Sequence, residues 1–599
     1  LAGQTFKTVP DLLHFRIGAT PGGTAYQFVE GTSWKSVSWK DFGVTVREIS
    51  MGLRALGLQN EERVAILAGT RYEWICADMG ILCAGGATTT IYPSSTPDDC
   101  GYIVQDSNTA FVIAENEEQI EKLVSQKASL SKVRKVISID GKSGHDGWVI
   151  SWAELLEKGR GASVAEWEAI GKSVKNDSLA TLIYTSGTTG RPKGVELTQD
   201  CWVYEAEAID ELQILRPDDV QYLWLPLAHS FGKVLEVAQL KIGFQTAVDG
   251  RVDKLVANLA VVKPTFVAAV PRIFEKVYNK VVGGAKASGG MKYKIFQWAL
   301  GVGREVSKLK QARQPVGGML AIKANLANKL VFSKLKALFG GNLRYFVSGS
   351  AALSREMAEF FHACDILILE GYGLTETSAF SFVTRPDSYK FGTVGPPAPG
   401  TEVKIASDGE ILIKGRGVMR GYHNLGEATA ETIKDGWLYT GDIGELDAQG
   451  NLRITDRKKD LIKTSVGKYV APQELEGKLK LLSPYISNVL VHGNNRNFCT
   501  ALVAVDLDAI TAWAKENGVA GNYAEIVKDP KVHALLKPAF DQLNASIANY
   551  SQVKKFAILP QDLTLENGEL TPSQKVKRKV VETKYKEVLD GFYAGGIES

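Results

Sequence analysis

One run constrains this chain more than any other: Tyr184-Thr185-Ser186-Gly187-Thr188-Thr189-Gly190-Arg191-Pro192-Lys193-Gly194-Val195. It follows Leu182 and Ile183, which read as the end of a buried strand. It precedes Glu196-Leu197-Thr198 and a helical run over 201–212. Hydroxyls, glycines, a proline and a lysine this close together make a loop between regular elements. Glycine permits positive φ and close approach of backbone to a ligand. Thr185, Ser186, Gly187, Thr188, Thr189 and Gly190 offer hydroxyl and N–H donors, and Lys193 offers a cation, all suited to phosphate oxygens. The G-x-x-x-x-G-K-[ST] spacing of a Walker A loop cannot be laid on this run.

The residues before it alternate between two periods. Apolar runs at 63–68, 87–91, 110–114 and 135–139 read as strands, and 74–84 and 117–124 carry helical spacing. Strands alternating with helices predict parallel sheets covered on both faces, an α/β fold. A chain of 599 residues is long enough for more than one domain. Its 70 basic and 67 acidic residues leave a formal charge of +3, against a general nucleic-acid binder. Cys76, Cys83, Cys100, Cys201, Cys364 and Cys499 are scattered, with no CxxC pair and no histidine at zinc spacing, so reduced thiols of a cytoplasmic protein are expected. No apolar run is long enough to span a bilayer, and no secretory signal is expected at the start.

The 184–195 run matches the AMP-binding signature of the adenylate-forming superfamily, which includes acyl-CoA synthetases. Further segments extend the resemblance in the family's order. Leu225-Pro226-Leu227-Ala228-His229 resembles L-P-L-x-H, which implies that His229 lines the pocket for the substrate carboxylate. The following Ser230-Phe231-Gly232-Lys233 departs from the longer, more basic version of long-chain ligases. The run over 263–278, with Val270-Pro271-Arg272 at its centre, looks like a segment of the long-chain fatty-acid–CoA ligase branch. Phe346 to Leu353 reads as a strand entering a small-residue turn, where Gly349, Ser350 and Ala351 let a flat ring lie against backbone.

Glu370-Gly371-Tyr372-Gly373-Leu374-Thr375-Glu376 matches the family's x-G-Y-G-x-T-E. The side chains suit the implied roles: Tyr372 can stack on adenine, Thr375 can donate to phosphate, and Glu376 can ligate magnesium. Trp437 to Asp442 resembles W-x-x-T-G-D, and a carboxylate at Asp442 can accept both ribose hydroxyls. Ile454 to Lys463 resembles the hinge segment, with Arg457 reaching the ribose and Lys459 at the point of rotation. Gly467 and Lys468 fall where pantetheine would pass. Near the end, Lys575-Val576-Lys577-Arg578 aligns Lys575 with the family's catalytic lysine, and Lys577, Arg578 and Lys579 read as a basic tail face.

Residues 280–344 carry many lysines and arginines against one acid, Glu305, with apolar residues interleaved. This resembles the helical insertion of long-chain ligases. A solvated helix face and attraction to an anionic membrane surface are both open.

The resemblance implies a large N-terminal adenylate-forming domain over 1–456 and a small, mobile α+β domain over 457–599. It implies ATP-dependent activation of a long-chain fatty acid to acyl-AMP, with Thr185, Glu376 and Lys575 as catalytic residues, and then transfer to coenzyme A. The expected substrates and cofactors are ATP, Mg2+, the fatty acid and coenzyme A, in a cytoplasmic enzyme with peripheral contact at the inner membrane face. The runner-up is an acyl-AMP ligase delivering to a carrier protein. A carboxylate reductase is disfavoured because no reductase motif follows before Ser599. A non-catalytic lipid- or nucleotide-binding protein is disfavoured by Glu376, Asp442, Arg457 and Lys575 occurring together.

Overall fold

The computed structural model describes residues 5–185, 191–465, 468–571 and 575–594. Two eight-stranded sheets make the frame. The first runs in the spatial order Phe382–Val383, Leu367–Tyr372, Tyr345–Ser348, Phe266–Ala269, Val220–Leu223, Gln245–Val248, Thr24–Glu30 and Ser33–Ser38. Its six inner strands are parallel, and both edge strands are antiparallel. The second runs Gly421–Tyr422, Lys193–Thr198, Leu179–Thr185, Ala87–Ile91, Arg63–Leu67, Thr109–Ala114, Lys135–Ser138 and Val149–Ser151.

The predicted strands at 63–68, 87–91, 110–114 and 135–139 all form, and each pairs in parallel with a neighbour. Leu179–Thr185 is buried along nearly its whole length, as a strand covered on both faces must be. It pairs antiparallel with Lys193–Thr198, with Thr185 opposite Lys193. Thr198 then caps the helix Gln199–Glu211 through its side chain.

Helices fill the space between the sheets. Tyr72–Cys83 is buried except at Glu73, and Ser230–Ile242 is nearly as buried. A helix apolar on all sides must lie inside the protein. A third sheet of five antiparallel strands includes Trp437–Leu446 and Leu452–Arg457, with Asp442 opposite Arg457 in register.

Beyond it the architecture changes to α+β. Ile486–His492, Cys499–Val505 and Val553–Ile558 form a three-stranded sheet whose two faces carry separate apolar clusters. One cluster gathers Leu479, Val503, Leu536 and Phe540. The other joins Leu490 and Leu502 to Val581 and Leu589 of the final helices, and so anchors the segment that carries Lys575. No helix among the described residues is long and apolar enough to cross a membrane. All six cysteines are free and buried.

Candidate active site

In parallel α/β sheets, ligands bind outside the carboxyl ends of the strands. Here the strands ending at Ser348, Tyr372 and Ala269 open onto one cleft of about 2690 Å³. That exceeds the 300–1,000 Å³ of an ordinary small-molecule pocket. It has room for a nucleotide and an acyl chain together.

Gly349, Ser350 and Ala351 follow the strand Tyr345–Ser348 and line the cleft. Ser350 adopts φ 67, a left-handed turn that swings the chain across the strand ends. A Cβ at Gly349 would lie 3.1 Å from the Phe231 ring, so only glycine leaves this wall flat. Glu370, Gly371, Tyr372, Gly373, Thr375 and Glu376 line the cleft from the end of the neighbouring parallel strand. Gly373 is compulsory, because a Cβ there would meet the Ala379 carbonyl at 2.0 Å. Burial pushes the Glu370 carboxyl up to about 8, with a backbone hydrogen bond from Gly392 opposing it.

The Tyr372 hydroxyl donates to Asp442 Oδ2 at 2.6 Å, and Arg457 Nε lies 3.1 Å from Asp442 Oδ1. Each carboxylate oxygen thus has one partner and keeps a second lone-pair direction for a ligand hydroxyl. Glu376 Oε1 accepts from the Tyr422 hydroxyl at 2.8 Å. Lys193 sits with its ammonium 4.7 Å from the centre of the Tyr422 ring. One tyrosine therefore orders both the carboxylate and the lysine.

His229 is the N-cap of Ser230–Ile242, and its Nδ1 accepts from the Phe231 backbone N–H at 3.1 Å. Burial, and then the Lys575 ammonium, lower its pKa to about 3. The imidazole is neutral, and with Nδ1 committed as acceptor its proton belongs on Nε2. Lys575 comes from the far end of the chain, more than 300 residues from His229. Its side chain is reached by solvent inside the cleft while protein surrounds the cleft. Burial and the nearby Arg457 cation lower its pKa to about 8, against the pull of Asp442 and Glu376.

The expected site residues Thr185, Lys193, His229, Gly349, Ser350, Ala351, Glu370 to Gly373, Thr375, Glu376, Asp442, Arg457, Lys459 and Lys575 all line this cleft. Lys468 does not: it is exposed in a separate two-stranded ribbon, its N–H donating to Thr464 Oγ1. Ser186, Gly187, Thr188, Thr189, Gly190 and Gly467 lie outside the described residues.

A family model described as AMP-binding enzyme matches residues 14–423, and one described as AMP-binding enzyme C-terminal domain matches 459–596. The chain belongs to the AMP-binding enzyme family. It is 36% identical over 577 residues to the long-chain-fatty-acid–CoA ligase FadD15 of Mycobacterium bovis, covering 96% of this chain and 95% of the relative. It is 30% identical to the human long-chain-fatty-acid–CoA ligase ACSBG2, covering 98% of this chain and 93% of that protein. Its fold is similar to the adenylation domain of a carboxylate reductase from Mycobacterium chelonae, with TM-score 0.78 at 20% identity, covering 99% and 92% of the two chains. A Mycobacterium tuberculosis fatty acyl CoA synthetase aligns with TM-score 0.62 at 21% identity over 97% and 99%.

Enzymes of this family that form AMP use ATP, Mg2+ and coenzyme A. Among the described residues, no group of three or more His, Cys, Asp or Glu side chains could hold a metal alone. Glu376 offers one carboxylate in the cleft. That fits magnesium, which is commonly held by one or two carboxylates plus substrate phosphates.

Several site residues were not visible in the motifs. Tyr422 has no local signal, since it is the strand pairing of Gly421–Tyr422 with Lys193–Thr198 that brings it to Glu376. Phe231, which lines the cleft beside Gly349, stands in a segment legible only as a departure from type. Arg578 corrects the expectation of a basic tail face: it pairs with Glu476 at 2.6 Å and donates to the Val491 carbonyl. It is fixed inside the C-terminal α+β region because its own last helices pack back onto that sheet.

Proposed function

We propose that the protein activates a long-chain fatty acid with ATP, giving acyl-AMP and pyrophosphate, and passes the acyl group to coenzyme A, giving acyl-CoA and AMP. The observation that carries this reading is the meeting of Lys575 with His229, Glu376 and the Asp442–Arg457 pair in one cleft. A cation from the chain's end faces a neutral hydrogen-bond donor, a carboxylate for a metal, and an acceptor pair for a ribose.

In the first step the acid's carboxylate attacks the α-phosphorus of ATP and pyrophosphate leaves. Two anions approach each other, so the barrier is electrostatic and positional. His229 donates from Nε2 to the carboxylate and holds it without adding charge. Tyr372 stacks on the adenine, while Asp442 and Arg457 hold the ribose. Lys575, Thr185 and Lys193 donate to the phosphate oxygens, where a preorganised donor is worth about 3 kcal/mol. Magnesium, held through Glu376, supplies neutralisation of phosphate charge. No protein nucleophile is needed, in keeping with six cysteines buried outside the cleft lining.

In the second step the thiol of coenzyme A attacks the acyl carbonyl and AMP leaves. The domain boundary falls at 456/457, and the C-terminal domain turns about Lys459. Lys575 faces the cleft for adenylation; after the turn, Gly467 and Lys468 face it for thioester formation. The exposed position of Lys468 supports this reading. The enzyme works in the cytoplasm and meets the anionic inner face of the membrane through its lysine-rich insertion.

The deciding experiment measures pyrophosphate release across straight-chain acids from acetate to oleate, with and without coenzyme A. Release that needs a long-chain acid, with thioester appearing only when coenzyme A is added, is expected. Acyl-AMP that forms but never reaches coenzyme A would favour a carrier-protein acceptor.

A further inference from the structure

The insertion contains a helix with more apolar surface than the protein covers. Gly318–Ala327 continues through a π-helical turn at Asn328–Phe332 into Ser333–Ala337. Its inner side is accounted for: Ala327, Phe332, Leu335 and Phe339 are buried in the main core. Yet Met319, Ile322, Leu326 and Leu330 stand 66%, 63%, 47% and 41% exposed. Their spacing of three, four and four places them on one face of the helix. A lone exposed leucine is ordinary, but a contiguous stripe of large side chains marks a contact surface.

The flanking charge selects what that contact is. Lys323, Lys329 and Lys334 are exposed on the same helical segment and have no carboxylate partner among the described residues. The nearby Asp365 is already taken by Lys310 and Lys336. Glu305 is the one acid between positions 280 and 344. The complementary surface is apolar in depth and anionic at its rim. An apolar face edged with lysines is the build of a helix that lies in a bilayer interface, its cations at headgroup level.

We infer that the continuous helical segment from Gly318–Ala327 through Asn328–Phe332 to Ser333–Ala337 lies in the surface of an anionic bilayer. Met319, Ile322, Leu326 and Leu330 enter the acyl boundary, and Lys323, Lys329 and Lys334 sit among the lipid phosphates. The inference deepens the membrane contact proposed above by naming the element that enters. It rests on that contact and not on the reaction, since binding is measured without turnover.

The test is co-sedimentation of the full chain with phosphatidylglycerol–phosphatidylcholine vesicles and with phosphatidylcholine vesicles. The wild type binds the anionic vesicles, and binding weakens as salt rises. The double variant Ile322→Asp with Leu326→Asp loses binding at low salt while keeping the circular-dichroism spectrum and melting temperature of the wild type. Replacing Lys323, Lys329 and Lys334 together by Gln weakens binding on the order of a hundred-fold, since each cation near a charged surface contributes about tenfold or less. Two outcomes overturn the inference. One is equal sedimentation of the wild type and the Ile322/Leu326 double variant. The other is a dimer in gel filtration that the same variant dissolves, which would make a second copy the occupant.

Discussion

Lys233 and Asp78, 155 residues apart in the chain, form an ion pair in which neither side chain touches solvent. Glu236 lies one helical turn on, 3.7 Å from the same ammonium. Burial raises the pKa of Glu236 well above the usual carboxylate range, against the pull of Lys233, with Asp78 adding to the rise. The pair bolts the helix that begins at His229 to Tyr72–Cys83, a helix that follows a strand of the other large sheet.

Breaking that pair on one side leaves an uncompensated buried charge. Lys233→Met is expected to cost about 3–5 kcal/mol of stability. Adding Asp78→Leu should return most of it, because two apolar side chains replace a buried pair with little loss. Denaturant unfolding of the two single variants and the double variant checks this. Additive losses would mean that the two residues do not depend on each other.

The two half-reactions are expected to separate by mutation. Lys575→Ala should lower acid-dependent pyrophosphate release by about 3 kcal/mol of activation energy, the value of one preorganised donor. It should leave conversion of supplied acyl-AMP and coenzyme A largely intact. Lys459→Pro restricts φ at the point of rotation and should do the reverse. If both variants depress both half-reactions alike, separate assignment of these lysines is wrong.

Lys575 also sets a pH limit. Its pKa is lowered to about 8, so the free enzyme loses this charge as pH rises through that value. The kcat/KM of pyrophosphate release, which reports ionisations of the free enzyme, should fall about tenfold per pH unit well above 8. Thioester formation from supplied acyl-AMP should lack this limb. Because His229 is held neutral down to about 3, no imidazole limb is expected near pH 6.5.

Glu370 gives a stability prediction of definite sign. Its folded pKa is raised to about 8, from 4.5 in an exposed carboxyl. Between these values the folded chain keeps a proton that the unfolded chain has lost. The contribution of this group to stability therefore falls as pH rises from 4.5 to 8, by about 1.4 kcal/mol per pH unit at most. Glu370→Gln removes the titration, so its advantage over the wild type in melting temperature should grow between pH 5 and pH 8. A constant difference would place the Glu370 carboxyl in its ordinary range.

The cleft lining includes the apolar side chains Ile209, Leu212, Leu235 and Phe266, where the proposed acyl chain would lie. Each added methylene buried there should contribute about 0.8 kcal/mol, roughly fourfold in kcat/KM, until the space is full. A profile of acids from acetate upward should climb and then level. A preference for acetate would refute a long-chain site.

Local pattern and short motifs determined much of this protein. The strands at 63–68, 87–91, 110–114 and 135–139 were legible because a strand buried on both faces must be a short, unbroken apolar run. Tyr372, Glu376, Asp442, Arg457 and Lys575 were legible because each stands in a motif whose chemistry needs that residue type at that place. Glu376, Asp442 and Arg457 each share the cleft with Lys575, as their effect on its pKa requires.

Tertiary structure alone decided the rest. Tyr422 reaches Glu376 only through an antiparallel pairing with a strand more than 200 positions earlier. Lys233 reads as an ordinary polar residue of a helix until Asp78 arrives from the helix Tyr72–Cys83, and Arg578 reads as a surface cation until Glu476 meets it. Helical periodicity can mark 319, 322, 326 and 330 as one face, but not whether that face is covered. Burial and charge pairing are sums over neighbours distant in the chain, and folding is what selects those neighbours.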